Sequence, residues 1–591
     1  MYFKLITFNG IAPILEPRLL KDEVGVTAQN VNLERGNLNA LYTNGNHATL
    51  NASSITSHYQ YKFGGTTYNL EFDDDVDVVP GPIADDAFDR LYWTGQTFPR
   101  MASSAQITTG GSGAYPRSSF RLGIEAPANT PAAATPTGTD DGTQIKYSTA
   151  YVYTFVSAFG EEGPPSAASN VVTKVDGQSV VVSNLSTTAA KSNTNYVGGS
   201  TGTKRIYRSN TGSNTTDFQF VAEVSMGTTS YTDSTNNDAL GEIIPSTFWI
   251  APPDDDSSLY PNGQMKGLTA IGNGIFAGFS GKRLCFSEPF LPHAWPVAYR
   301  VTLEDEIVGI SMAGNVLFIG TKGTNYIAAG TDPQAMAIQK LEAAEPLLYK
   351  RSLVDMGGYC IYSGPDGLIG VENGQVTNLT QALISPDQWK GTYVVQSAGM
   401  HEGKYVGQYS SAAQTPQAII FDVSGDVNAL TTVDTLLNTG SSTNSGFYTD
   451  PETNELYLIN KPSSGNCTVE SFDDSATDTK RTFVFKSKEF VLPKATSMNF
   501  VKVEADSYAG AGVTVKVFGD GTEIFDATIT ASGSVFSATG SAPTSFSATQ
   551  IQEPILRLPT GVHKVYQVEV TSANPVHEIC IGESIDELRA V

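Results

Sequence analysis

The sequence predicts an all-β protein, the larger part of it a β-propeller interrupted by an inserted β-sandwich. Three observations carry that expectation. Gly (56) and Pro (30) are plentiful while charged residues make up only 16%, a composition that favours short strands and many turns over long helices. Short apolar runs recur, each closed by Gly, Pro, Asn or Asp. Turn residues Gly274, Gly314, Gly358, Gly403 and Asn454 stand between paired runs at intervals of 40, 44, 45 and 51 residues, the period of a propeller blade.

The stretch 357–380 shows the unit. Tyr359, Cys360, Ile361 and Tyr362 form one run, Gly364-Pro365-Asp366-Gly367 stops it, and Leu368, Ile369 and Val371 form the next, closed by Asn373-Gly374. Pro presets one turn torsion, and Gly and Asn accept positive φ, so this reads as strand, turn, strand, turn. Asp366 and Asn373 are accordingly turn residues and not catalysts. A blade cannot bury both faces of its sheet alone and must stack on its neighbours.

Along the chain, 1–50 reads as an extended lead-in and a hairpin, with Val31 and Leu33 before a turn at Arg35-Gly36 and Leu38 and Leu41 after it. Residues 51–125 hold a first propeller portion: aromatic strands at Tyr59, Tyr61 and Phe63, at Tyr68, Leu70 and Phe72, and at Arg90 to Trp93, then a Gly/Ser-rich loop from Ser103 to Ser119. APANTPAAATPTG, 126–138, reads as a linker. It opens a self-contained stretch, 126–248, of about one β-sandwich length, with strands expected at Tyr151 to Val156, Val180 to Val182, Lys204 to Arg208, Phe218 to Val224 and Thr229 to Asp233. The remaining blades occupy 249–481. From 482 the pattern changes: Val513, Val515 and Val517 alternate ahead of Asp520-Gly521, a type I′ hairpin signal, and the chain closes on one helical turn over Glu583 to Leu588.

A chain of 591 residues is too long for one core, and about three to five domains are expected. With 60 acidic against 36 basic residues the net charge is −24. This excludes a long-lived nucleic-acid complex, which needs clustered Lys and Arg. Cys285, Cys360, Cys467 and Cys580 are scattered without a CxxC pair, so buried free thiols are expected in place of a zinc site or disulfide framework. No secretory leader and no membrane-spanning run is read, which points to synthesis in the cytoplasm.

Catalytic patterns are absent from the expectation. His47, His58, His293, His401, His563 and His577 stand singly, without a metal-binding pair. Gly309 to Gly314 misses the nucleophile elbow by one residue, and Gly272-Asn273-Gly274 lacks the third glycine of a dinucleotide fingerprint. Asp73-Asp74-Asp75-Val76-Asp77 lacks the Gly and distal Glu of an EF-hand and reads as a solvated loop. Sixty acids leave many carboxylate pairs whose separation only three dimensions define, so a glycoside-hydrolase pair stays open. No catalytic residue, cofactor or metal ligand is assigned.

The phrases YTFVSAFGEEGPPS (153–166) and KRIYRSNTGS (204–213) resemble fibronectin type III-like modules. Three further phrases resemble the tail nozzle proteins of short-tailed bacteriophages, also called tail tubular protein B-like: FNGIAPILEPRLLKDEVGVTAQNVNLERGNL (8–38), SGPDGLIGVENGQVTNLTQALISPDQW (363–389), and SKEFVLPKATSMNFVKVEADSY (487–508) with the terminal GESIDEL. The fibronectin-like insertion departs from simpler members of that family. The resemblance implies a non-enzymatic virion tail protein, a homohexamer under an adaptor or head-to-tail connector ring. It also implies a platform built from both chain ends (1–50 and 482–591), tail fibres or a tail tip as partners, and transient passage of double-stranded DNA without specific binding or membrane insertion. An acidic wall suits that passage, because it repels phosphate. The alternative expectation is a carbohydrate-binding or carbohydrate-degrading propeller, motivated by Tyr92, Trp93, Trp295 and Trp389 as sugar-stacking aromatics.

Overall fold

The computed structural model describes residues 1–33, 36–191, 194–197, 202–211, 216–409, 416–423, 429–438, 443–530, 533–536 and 555–589; Arg35, expected at a turn, lies outside them. Strands dominate, and helix is confined to short segments such as Ser104–Thr108 and Ile585–Arg589. The fold is all-β. The chain divides into two compact units, one of 1–60, 311–326 and 340–591, the other of 61–310 and 327–339.

In the first unit the 357–380 stretch folds as its residues dictate. Cys360–Ser363 and Leu368–Glu372 pair across a turn in which the Gly364 N–H donates to the Gly367 carbonyl. Asn373 (φ 47°) and Gly374 (φ 89°) then turn the chain into Gln375–Asn378, two left-handed residues being what a tight hairpin demands. With Val354–Asp355 this makes a four-stranded antiparallel sheet. A second follows from 395 to 433 and a third from 443 to 471. The third is completed by a strand from the other end of the chain, Gly45–Thr49, which pairs with Thr468–Ser471. Residues 45–49, within the stretch read as lead-in and hairpin, are thus a strand of this sheet.

The second sheet does not stand alone. Thr27–Gln29 lies parallel to its last strand at Gln29–Thr432 and antiparallel to Phe483–Lys486. The ladder continues through His563–Ser572, Val513–Gly519 and Thr522–Thr530 as one 11-stranded sheet. The predicted Asp520-Gly521 turn is present with φ 48° and 81°. Tyr2–Leu5 pairs with Val576–Gly582, so both chain ends share a sheet. The common core runs from Leu5 and Phe8 through Trp389, Tyr405 and Phe421 to Val515, Tyr566 and Ile581.

In the second unit, 77–121 and 266–302 each form a four-stranded antiparallel sheet. Within 126–248 two three-stranded sheets, Tyr151–Val156 with Thr203–Thr211 and Thr216–Ser225, and Ala132–Ala133 with Val180–Ser183 and Tyr231–Asp233, enclose an apolar core that includes Tyr151, Phe155, Val180 and Ile206. The expected linker is thus partly strand: Ala132 and Ala133 pair with Ser183 and Val182, because an extended Ala-Pro-Thr segment costs little to add to a free sheet edge. The expected Gly/Ser loop likewise carries a helical turn, Ser104–Thr108, started by a capping box between Ser103 and Gln106.

Candidate functional site: a buried charge junction

A buried polar cluster lies in the second unit, where the 126–248 module meets its host sheets. It begins with a strand, Tyr151–Val156, whose six residues are all buried. At its end the Glu161 carbonyl accepts from the Ser157 N–H, and Val156 bridges to Glu162. This tight return aims two adjacent carboxylates inward, at 8% and 3% exposure. A buried carboxylate is stable only when donors replace the water it loses.

Each of the two is fully provided for. Glu161 accepts from Arg90 Nη1 at 2.7 Å, from the Tyr196 hydroxyl at 2.7 Å and from Ser157 at 3.3 Å. Glu162 accepts from Thr154 and Tyr207 at 2.7 Å each, from Arg205 at 2.8 Å and from Ser246 at 3.3 Å. Arg90 also pairs with Asp86 at 2.7 Å. Burial pushes the Asp86 carboxyl up, but the hydrogen bond and charge of Arg90 outweigh it and leave it below the ordinary range. Tyr196 is driven well above its usual value by burial and by Glu161.

His293 completes the cluster at 1% exposure. Its Nε2 lies 3.2 Å from the Glu162 main-chain oxygen. A carbonyl only accepts, so Nε2 carries the proton and Nδ1 is a bare lone pair, 3.8 Å from Glu161 Oε1 and without a hydrogen-bond partner. Burial lowers the His293 pKa, with Glu161 opposing it. Where the chain enters and leaves the module, Arg121 holds Asp254 at 3.0 Å and Asp255 at 2.8 Å, and Lys191 holds Asp254 and Asp256. Arg121 also stacks over Phe98 at 3.8 Å. Both chain crossings are therefore clamped. The arrangement fixes one element against another.

The expected site signals fall elsewhere. Tyr92, Trp93, Trp295 and Trp389 are all at 1% exposure or less, so none offers a face to a sugar. The four cysteines are free and buried, as their apolar neighbours indicate. Gly309 to Gly314 runs through the strand Ile307–Ala313 and its turn, not a strand-to-helix elbow. No three His, Cys, Asp or Glu side chains among the described residues are grouped to hold a metal ion. His563 and His577 sit beside Asp520 and Asp506 at the surface. His401 lines a small cleft of about 30 Å³ with Lys404, Asp422 and Asp473, room for about one water. A wider groove of about 440 Å³ lies between Val354 and Asp355, Met400 and Phe447.

The junction is not legible in the sequence, because FGEEGPPS (159–166) has the Gly and Pro content of a loop. A signal was nevertheless there: Lys204-Arg205-Ile206-Tyr207-Arg208 sets cations on both faces of one strand, and a cation on a buried face calls for anions or carbonyl oxygens to meet it.

No family model matches the chain, and no curated protein matches it. Among solved structures, the extracellular domain of a hybrid two-component system from B. thetaiotaomicron aligns at 8% identity and a TM-score of 0.27, covering 86% of this chain and 47% of that one. Apo AztD from Citrobacter koseri aligns at 10% identity and a TM-score of 0.25, covering 70% of this chain and 100% of that one. The chain thus spans about half the length of the first of these. Scores this low mark neither a shared fold nor a shared activity. No helix among the described residues is long and apolar enough to cross a membrane, which says nothing of strands.

Proposed function

We propose that the chain is a structural protein of a phage tail, a hexameric nozzle that forms the distal channel for DNA ejection and attaches to an adaptor ring and tail fibres. In this reading the four-stranded sheets are propeller blades, 126–248 is a fibronectin type III-like insertion, and a platform is built from both chain ends. The protein is non-enzymatic and resides in the virion tail. The observation that most supports it is the sheet of 443–471, whose fourth strand, Gly45–Thr49, comes from more than 400 residues away. A ring of blades closes when one blade takes strands from both ends of the chain, which removes an exposed edge. The net charge of −24 also fits a wall that lets phosphate slide past.

The test is native mass spectrometry and negative-stain imaging of the purified protein, alone and with its adaptor ring. Six-fold rings are expected. Monomers alone, with adaptor present at micromolar concentration, would overturn the proposal.

A further inference from the structure

We propose that His293 is the trigger of an acid-sensitive lock that holds the 126–248 module against its host sheets. The inference stands on geometry and is independent of the tail reading. Three chain segments converge on one carboxylate oxygen. Glu161 Oε1, from the module, takes Arg90 Nη1 at 2.7 Å and faces His293 Nδ1 at 3.8 Å. Arg90 is itself held by Asp86, and the other oxygen of Glu161 belongs to Tyr196.

In the neutral ring, Nε2–H is committed to the Glu162 carbonyl and the Nδ1 lone pair points at an anion. That arrangement holds only while nothing better is offered. A proton on Nδ1 creates a second cationic donor for an oxygen that Arg90 already occupies. It also places a charge in a site with 1% exposure, whose solvation water cannot replace. The groups facing the ring are Glu161 and Glu162 from the strand return, Arg90 with Asp86 behind it, Tyr196 across the carboxylate, and the Trp249 ring edge-to-face at 6.1 Å. Burial, the largest influence, and Arg90 oppose the added charge, while Glu161 and, less, Glu162 favour it. The folded junction therefore prefers the neutral ring, and acid favours the state in which His293 is released to water.

Trp249 gives a local readout, since an imidazolium quenches a neighbouring indole. The experiment follows tryptophan emission of the full-length protein from pH 8 to 4.5, alongside limited proteolysis of the 126–138 and 240–250 connectors. Wild type is expected to show a fall in emission below about pH 6.5 and connector cleavage over the same interval. His293→Gln is expected to lose both. Glu161→Gln, which removes the largest of the contributions favouring the protonated ring, is expected to move the emission midpoint to lower pH. A flat wild-type emission and cleavage profile, an unchanged step in His293→Gln, or an unmoved midpoint in Glu161→Gln would each overturn the lock.

Discussion

Arg90, Glu161 and His293 show at residue scale why this protein keeps charges in its interior. Removing one partner of a buried pair strands the other, at a cost of about 3–5 kcal/mol. Arg90→Ala leaves both Asp86 and Glu161 without their guanidinium, and calorimetry should record a loss of that size. A change under about 1 kcal/mol, the range of an exposed pair, would show the junction to be solvated. The pH dependence has two parts of known sign. His293 is held below its unfolded value, so its contribution is complete above about pH 6.5 and is lost as pH falls. Asp86 and Asp233 are also lowered, burial being outweighed by Arg90 in the first and by Tyr151 and Arg208 in the second. Their contribution is present above about pH 3.9 and is lost as pH falls through their folded values. Thermal midpoints should therefore decline in two stages between pH 7 and 3. A midpoint constant from pH 7 to 4 would remove the histidine stage.

At the scale of elements, turn residues set register, and two glycines in one hairpin region separate strain from crowding. Gly521 has φ 81° with nothing within 4 Å of an added Cβ, whereas Gly512 has φ 75° and an added Cβ would lie 2.1 Å from the Ile529 carbonyl oxygen. Gly521→Ala should cost about 1–2 kcal/mol from the left-handed backbone alone. Gly521→Asn should recover part of that, because Asn tolerates this region. Gly512→Ala should cost clearly more, since the backbone must move. Equal losses by calorimetry would contradict the steric distinction. The Asp520-Gly521 turn was legible in the sequence because a two-residue hairpin is decided by its own four residues. The capping box at Ser103 and Gln106 was equally local, but it sits inside a Gly/Ser-rich run whose composition masks a single helical turn.

For the whole molecule, the charge of −24 makes a direct statement about partners. Duplex DNA should show no retention by this protein at about 0.15 M salt, since there is little Lys or Arg clustering to release counterions. A gel shift that persists at that salt would contradict the sliding-wall reading. The chain's residues determine by themselves that it is all-β, where its hairpins turn, that its cysteines are buried and that its net charge is strongly negative, because each of these depends on composition or on neighbours within a few positions. Tertiary structure alone decided the rest. Thr49 pairs with Thr468, Gln29 joins Thr432 to the C-terminal strands, and Glu161 meets Arg90 and His293. Alternation along a strand says which face is apolar but not which distant strand will lie beside it. The same limit applies to Trp93, Trp295 and Trp389: an aromatic among turn residues reads alike whether it faces solvent or core, and only the packing around it, complete in all three, settles which.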